Sequence, residues 1–354
     1  MWIAGLLTSG TASLGRLVMV GLLPNTLLVS TVLVLLRANS FGGRSQWSRV
    51  LPSDVAGGVV GGLALLVAVV LLTVLLQPFQ IRVVRVVEGY WEGWSITARL
   101  APLFTELQYR KVKRLRDLDN QLQAHTEELE DRGRLVGTLV ERSRNSRDYA
   151  RKLSDSRRIQ RKLQRYPSHD PDESRPHESL LPTALGNALR TTELTAGERY
   201  GLHTLASFPR LYSVLPDQFR QMYDAVRNSV DAAVNLSLGF FLIAVITTVA
   251  LLDEPATYWI PASALALCVF AYVGAIASAS SHDLHVRTAY DLYRFDLLKA
   301  AHLELPKTTD EEAQTFEELS GFYATEMPQE LTTESRPDWT YVHHEKDEDT
   351  PKPT

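Results

Sequence analysis

Four charge-free apolar runs fix the solvent in which this chain can fold. They occupy residues 17–36, 55–76, 234–252 and 260–280, and no Asp, Glu, Lys, Arg or His falls inside any of them. Each run is about 20 residues long, the length a helix needs to cross roughly 30 Å of hydrocarbon. In hydrocarbon the backbone must satisfy its own hydrogen bonds, which favours helices over open strands. The sequence therefore predicts an all-α integral membrane protein with four transmembrane helices. They pair as a first hairpin (1–79) and a second (234–281), with a cytoplasmic helical domain between.

Average composition conceals this design. The chain is 22% charged with a formal net charge of -4, which looks soluble, yet its charges are segregated. Residues 105–165 hold seventeen Lys and Arg against ten Asp and Glu, whereas residues 303–354 hold four against fourteen. Each block sets its own local field. The only cysteine, Cys268, lies in the fourth run, which excludes an intrachain disulfide and a cysteine-based zinc or iron–sulfur site. The first run follows Arg16 and precedes Ala38-Asn39-Ser40, as a secretory signal would. Its apolar core is too long for one and a second run follows closely, so it reads as an anchor.

Orientation follows from Lys and Arg beside the spans. Arg82, Arg85, Arg99, Arg220 and Arg227 flank the middle segment, and Arg287, Arg294 and Lys299 follow the fourth run, while the 253–258 connection has none. This bias places both termini and residues 80–233 in the cytoplasm of a plasma (inner) membrane protein. Arg37, Arg44 and Arg49 in the first connection run against it.

Within the spans, Pro24-Asn25 predicts a kink whose freed carbonyl a neighbouring group can satisfy. Gly57, Gly58, Gly61 and Gly62 form overlapping small-xxx-small pairs, and Ala271, Ala275 and Ala279 form a similar stripe; both read as helix-packing faces within the chain. Residues 80–104 mix arginines with Tyr90, Trp91 and Trp94, suiting an interfacial helix or stalk. Residues 105–165 are long-helical and basic. Leu115, Leu118, Leu122, Leu129, Val136 and Leu139 fit one heptad frame, which also seats His125 and Arg132, so a short coiled coil and a helical hairpin are equally consistent. Residues 166–179 are a Pro-rich linker. There His169, Asp170, Asp172, Glu173 and His177 lack the preorganisation a metal site needs.

Residues 180–233 form the densest region outside the membrane, with a helix starting at Pro182 and stopping at Gly197. From Asp217 a helical pattern enters the third run. Beyond the fourth run, a helical stretch (282–324) extends to Pro306. Asp283, Arg287 and Asp291 read as a side-chain ladder on an exposed face, and His282 and His285 as an incomplete ligand pair. Thr309 to Glu312 read as a capping box opening a helix that packs through Phe316, Leu319 and Tyr323. From 325 to 354 the tail is acidic and expected to be disordered.

The stretches LPTALGNALRTTE, GERYGL, FPRLY, AYDLYRFDLLKAAHLELP and RVVEGYW resemble those of multi-pass integral membrane proteins of high-GC actinobacteria. No activity is assigned to that group, so the resemblance implies architecture alone. The polar residues in these stretches, Asn187, Arg190, Glu193, Arg199, Tyr200 and Arg210, are candidates for a binding surface or for a network satisfied within the fold.

No Gly-Lys pair occurs, hence no P-loop, and Gly-x-Ser-x-Gly, His-Glu-x-x-His and Gly-x-Gly-x-x-Gly are absent. No catalytic residue, metal or cofactor is expected. Basic charge without a recognition fold or interleaved aromatics gives no case for nucleic acid. The expected partners are membrane lipid and either another protein or a second copy of the chain. The reading is a plasma-membrane-anchored, non-enzymatic scaffold or signalling adaptor. The alternative is a homo-oligomeric pore or transport subunit, and an enzyme using Arg190, Glu193 and Arg210 is the third.

Overall fold

A computed structural model describes residues 17–50, 55–91, 95–135, 139–167, 179–324 and 339–342. Among these residues the chain is all-helical, without a β-strand. After a π-helical turn (Leu17–Leu22) come α1 (Leu23–Arg37), α2 (Val55–Glu88), α3 (Ser95–Leu135) and α4 (Leu139–Leu163). Then follow α5 (Ala184–Thr195), α6 (Thr204–Val214), α7 (Asp217–Ala250), α8 (Trp259–Ala300) and α9 (Thr309–Ala324).

Three segments are long and apolar enough to cross a membrane: Val20–Arg37, Asp217–Ala250 and Pro255–Ala300. The second apolar run is also helical, with a described apolar stretch of Val59–Leu75. Large apolar side chains point outward on these helices; Val60 is 68% and Phe270 77% exposed. Continuous outward apolar surface is the inverse of a water-soluble helix.

The segment 80–104 is not an element of its own. Helix α2 runs through Pro78 to Glu88, and the chain breaks at Gly89, whose φ of 101° is a left-handed conformation that suits glycine. Helix α3 then begins at Ser95, so the aromatic segment is divided between an apolar helix and a basic one.

The chain divides into two units, Met1–Leu115 with Pro171–Ala188 and Asp224–Ser281, and Arg116–Asp170 with Leu189–Tyr223 and His282–Thr354. The boundary at Ala188 falls inside α5, within the stretch that the sequence suggests is one piece.

The first unit shows how an apolar bundle manages its polar backbone. Pro24 has no N–H to offer Val20, four residues earlier, and Asn235 of α7 donates its side-chain amide to the Val20 carbonyl at 2.9 Å. Asn25 donates to the Thr73 hydroxyl at 3.0 Å, tying α1 to α2. Gly239 faces Pro24, where an added β-carbon would lie 3.6 Å from the proline ring. Ala275 and Ala279 are fully buried, as a close-packing stripe requires, and Ala271 is half-buried. The glycine face behaves differently. Gly61 lies beneath the Arg37 guanidinium, and nothing among the described residues seats on Gly62. Gly57 and Gly58 lie in α2, but their surroundings lie outside the described side chains.

Where α2 ends, one hydroxyl joins two helix termini. Thr183 is the N-cap of α5: its Oγ1 accepts the Gly186 N–H at 3.0 Å and donates to the Glu88 carbonyl at 2.7 Å. Gly186 must be glycine there, since an added β-carbon would stand 1.7 Å from that carbonyl oxygen. The Glu88 carboxylate meets Arg227 of α7 at 3.8 Å.

On the loop side of the same unit, Glu254 accepts hydrogen bonds from Ser45, which hold its carboxyl below its ordinary value.

The second unit is built on one apolar cluster. Leu202, Leu211, Tyr290, Leu298, Phe316 and Leu319 are its most buried members. The fully buried Tyr290 hydroxyl sits 2.8 Å from Ser207 Oγ. Phe316 and Leu319 anchor α9 as expected, but its cap is Thr308 rather than Thr309: Thr308 Oγ1 accepts the Glu311 N–H at 3.2 Å, while Glu311 reaches back to the Lys307 N–H at 2.7 Å.

In the basic helices the buried stripe shares Leu122 with the heptad seam read from the leucines and departs from it at Leu118 and His125. Leu118 and His125 are exposed, whereas Asp119 is buried and accepts the Ser156 hydroxyl at 2.8 Å. Leu122 and Asp119 on α3, with Ser156 and Ile159 on α4, make a hairpin with a polar lock inside. A buried carboxylate needs such a partner, and bonding to it overrode the choice of leucine at 118. The surroundings of Arg132 and Leu139, Val136, and most of the 166–179 linker lie outside the described side chains. So does most of the tail, apart from residues 339–342, which lie against the second unit.

Two outcomes follow from the junction and the loop. Thr183→Val should leave the Glu88 carbonyl without its donor and cost about 1–3 kcal/mol. Gly186→Ala should cost at least as much through overpacking, both read as loss of Tm in detergent. For Glu254 the depressed value means the contact is fully present above 4.5 and is lost as pH falls through its lower folded value. The protection factor of the Ser45 amide against hydrogen exchange should therefore fall in acid, and in Glu254→Ala it should be low at every pH.

Candidate functional site

The six polar candidates do not converge. Asn187 is fully buried and belongs to the first unit: its side-chain oxygen accepts the Leu181 N–H at 2.8 Å, and its amide donates to the Leu181 and Thr183 carbonyls at 2.8 and 2.9 Å. Every polar atom of the side chain is thus spent on fixing the turn into α5, which excludes a ligand. Arg190 and Glu193 are half-buried on α5 and both are engaged within the structure. Arg210 is exposed on α6, its guanidinium lying 4.1 Å from the centre of the Tyr323 ring.

The best-defined polar assembly forms around Tyr200 in the second unit. Its hydroxyl donates to Asp291 at 2.6 Å, and the Arg294 guanidinium stacks 4.2 Å from its ring centre. Arg294 also pairs with Glu312 of α9 at 2.7 Å, where the two side chains are only 17% and 14% exposed. Burial raises the Tyr200 phenol above its ordinary value, and the bond to Asp291 adds to this against the opposing pull of Arg294 and Arg199. At neutral pH the group is therefore a fixed donor, not a base. Tyr323 is raised as well, again by burial, with Arg210 opposing. Gly201, next to Tyr200, has a φ of 77° and approaches the Ala313 carbonyl so closely that a β-carbon would stand 2.9 Å from its oxygen.

A second assembly corrects the exposed ladder expected on α8. Arg287 forks onto Asp283 at 2.9 and 3.0 Å, Asp283 accepts the Thr192 hydroxyl at 2.9 Å, and Arg287 donates to Thr195 at 2.6 Å. These charges form the first rung of that ladder and also tie α8 to α5 while staying partly exposed, and the exposed Asp291 belongs to Tyr200. The two histidines also part company: His282 meets the Tyr223 hydroxyl at 3.1 Å, and the His285 ring lies 6.4 Å from that of Phe219. Among the described residues no group of three metal-ligating side chains exists.

Sequence reasoning missed Asp291, Arg294 and Glu312 as partners of Tyr200. A signal was there. Val286, Ala289, Tyr290, Tyr293 and Leu297 mark the inward face of α8, and Asp283, Arg287 and Arg294 fall along its margin. Charges on that margin reach neighbouring helices as easily as water. No protein-family model, no curated protein and no solved structure matches this chain.

The Tyr200 assembly is thus a brace between α8, α9 and the turn after α5. Arg294→Leu should strand Glu312 and cost about 1–3 kcal/mol, allowing for the partial exposure of the pair. Glu312→Gln introduced with it should recover part of that loss in thermal unfolding. Tyr200→Phe should cost about 1 kcal/mol.

Proposed function

We propose that this chain is a four-span protein of the plasma membrane, with both termini and residues 80–233 on the cytoplasmic side. In this reading it is a non-enzymatic scaffold or signalling adaptor. The observation that carries the reading is a contrast between its polar groups. In the compact second unit, Asp283 and Arg287 bond across helices to Thr192 and Thr195, Tyr200 to Asp291, and Arg294 to Glu312. On α4 the basic side chains of Arg151, Arg157, Arg158, Arg161 and Lys162 face outward, as does Arg165 just beyond it. The module thus keeps its own charges for internal bracing and offers a basic helical surface to an acidic protein partner. Such a surface steers association and weakens with salt.

Replacing Arg157, Arg158, Arg161 and Lys162 by Glu tests this without touching the Asp119–Ser156 lock. In-membrane cross-linking of wild-type protein should capture a reproducible partner, and the charge-reversed variant should lose it while keeping wild-type Tm. Identical captures from both proteins would remove the adaptor reading.

A homo-oligomeric pore is the second reading, favoured by one observation: Gly62 faces open space between the outward Val60 and Leu63. It requires that Gly62→Leu abolish both self-cross-linking and solute flux in vesicles.

A further inference from the structure

Helix α8 ends in a Schellman turn, with the Leu303 N–H bonded to the Leu298 carbonyl and the His302 N–H to the Lys299 carbonyl, both at 3.0 Å. The residue after the cap of such a turn is left-handed and usually glycine; here it is His302, at a φ of 58°. That conformation is costly for a residue with a β-carbon. The turn carries the chain out of the helix and leaves the His302 carbonyl and Leu303 as a short main-chain edge.

Residues 339–342 lie on that edge. Leu303 and Tyr341 form an antiparallel bridge, and the Val342 N–H donates to the His302 carbonyl at 2.7 Å. Trp339 packs against the apolar cluster of the second unit and meets the Phe322 ring edge-on, with centroids 5.2 Å apart. Its indole Nε1 is buried without an acceptor among the described residues, whereas Tyr341 is 59% exposed.

We propose that this edge is a peptide-recognition site for an extended segment of aromatic–polar–aromatic–aliphatic chemistry, and that residues 339–342 are its tethered, displaceable occupant. Strand addition to an exposed edge is a recurrent recognition mode: main-chain bonds supply affinity and pockets for alternate side chains supply selectivity. The anchoring side chain is Trp339, and the main-chain contact is the His302 carbonyl. The occupant is held lightly. Its contacts include one bridge, one main-chain hydrogen bond and one seated ring, set against a buried indole N–H whose lost solvation is unfavourable. A contact that small persists because covalent tethering supplies a local concentration on the order of millimolar. A free segment of the same pattern therefore competes poorly with the intact tail and well once the tail is weakened. The site does not depend on which partner the basic hairpin meets.

The test uses the full chain in detergent and a fluorescein-labelled peptide of residues 337–343, Pro-Asp-Trp-Thr-Tyr-Val-His. Two variants weaken the tethered occupant by different routes. Trp339→Ala removes the anchor, and Val342→Pro removes the N–H that reaches His302 while leaving the ring in place. Both should bind the peptide at least about tenfold more tightly than wild type, and a peptide with Ala in place of Trp should not bind. If Trp339→Ala loses helicity or Tm, Val342→Pro decides. Folded variants that bind no peptide, that bind the Trp and Ala peptides alike, or that bind no better than wild type would overturn the proposal.

Discussion

A single hydroxyl group, that of Thr183, joins the end of α2 to the start of α5. It takes up a free N–H at the beginning of α5 and a free carbonyl at the end of α2 in one step. Helix ends leave such groups over, and burying them without partners is costly. Around that joint everything else is conditional. Gly186 must lack a side chain so that the two backbones can meet, Gly89 must turn left-handed to let the chain leave, and Asn187 must fix the strand of backbone that precedes the cap. They are the terms under which the end of one helix can be gripped by the start of another.

The same principle recurs at Pro24 and at the end of α8. Proline removes a donor, and Asn235 supplies one from across the bundle. The last turn of α8 exposes carbonyls, and the turn at His302 consumes them while presenting one more to the tail. Polar side chains in this protein are used first to balance backbone groups, then to brace helices. The basic face of α4 is left outward.

Much of the architecture was readable in the residues, and the reason is period and length. Three apolar runs of span length, a neighbouring donor for the carbonyl that Pro24 leaves free, the helix from Asp217 and the anchoring of α9 by Phe316 and Leu319 all follow from local pattern. What pattern could not supply was partner choice. The heptad of leucines promised a seam through Leu118, but a buried Asp119 with a hydroxyl opposite it set another. Asp283, Arg287 and Asp291 looked like an exposed ladder because spacing along one helix says nothing of the helix beside it. The break at Gly89 was missed because a left-handed glycine looks in sequence like any other. Of the polar candidates, Tyr200 proved central to an assembly, though its partners came from helices a hundred residues away in sequence.

Gly186 carries a consequence for recognising chains of this design. Its β-carbon is excluded by a backbone oxygen, which cannot rotate aside as a side chain can, so no other amino acid fits without moving two helices. The apolar spans, by contrast, can exchange leucine for valine or isoleucine almost freely and lose all resemblance to one another. A search for distant counterparts is therefore better seeded with Thr-x-x-Gly-Asn after a Pro, as it stands at Pro182 to Asn187, than with the hydrophobic runs that first catch the eye.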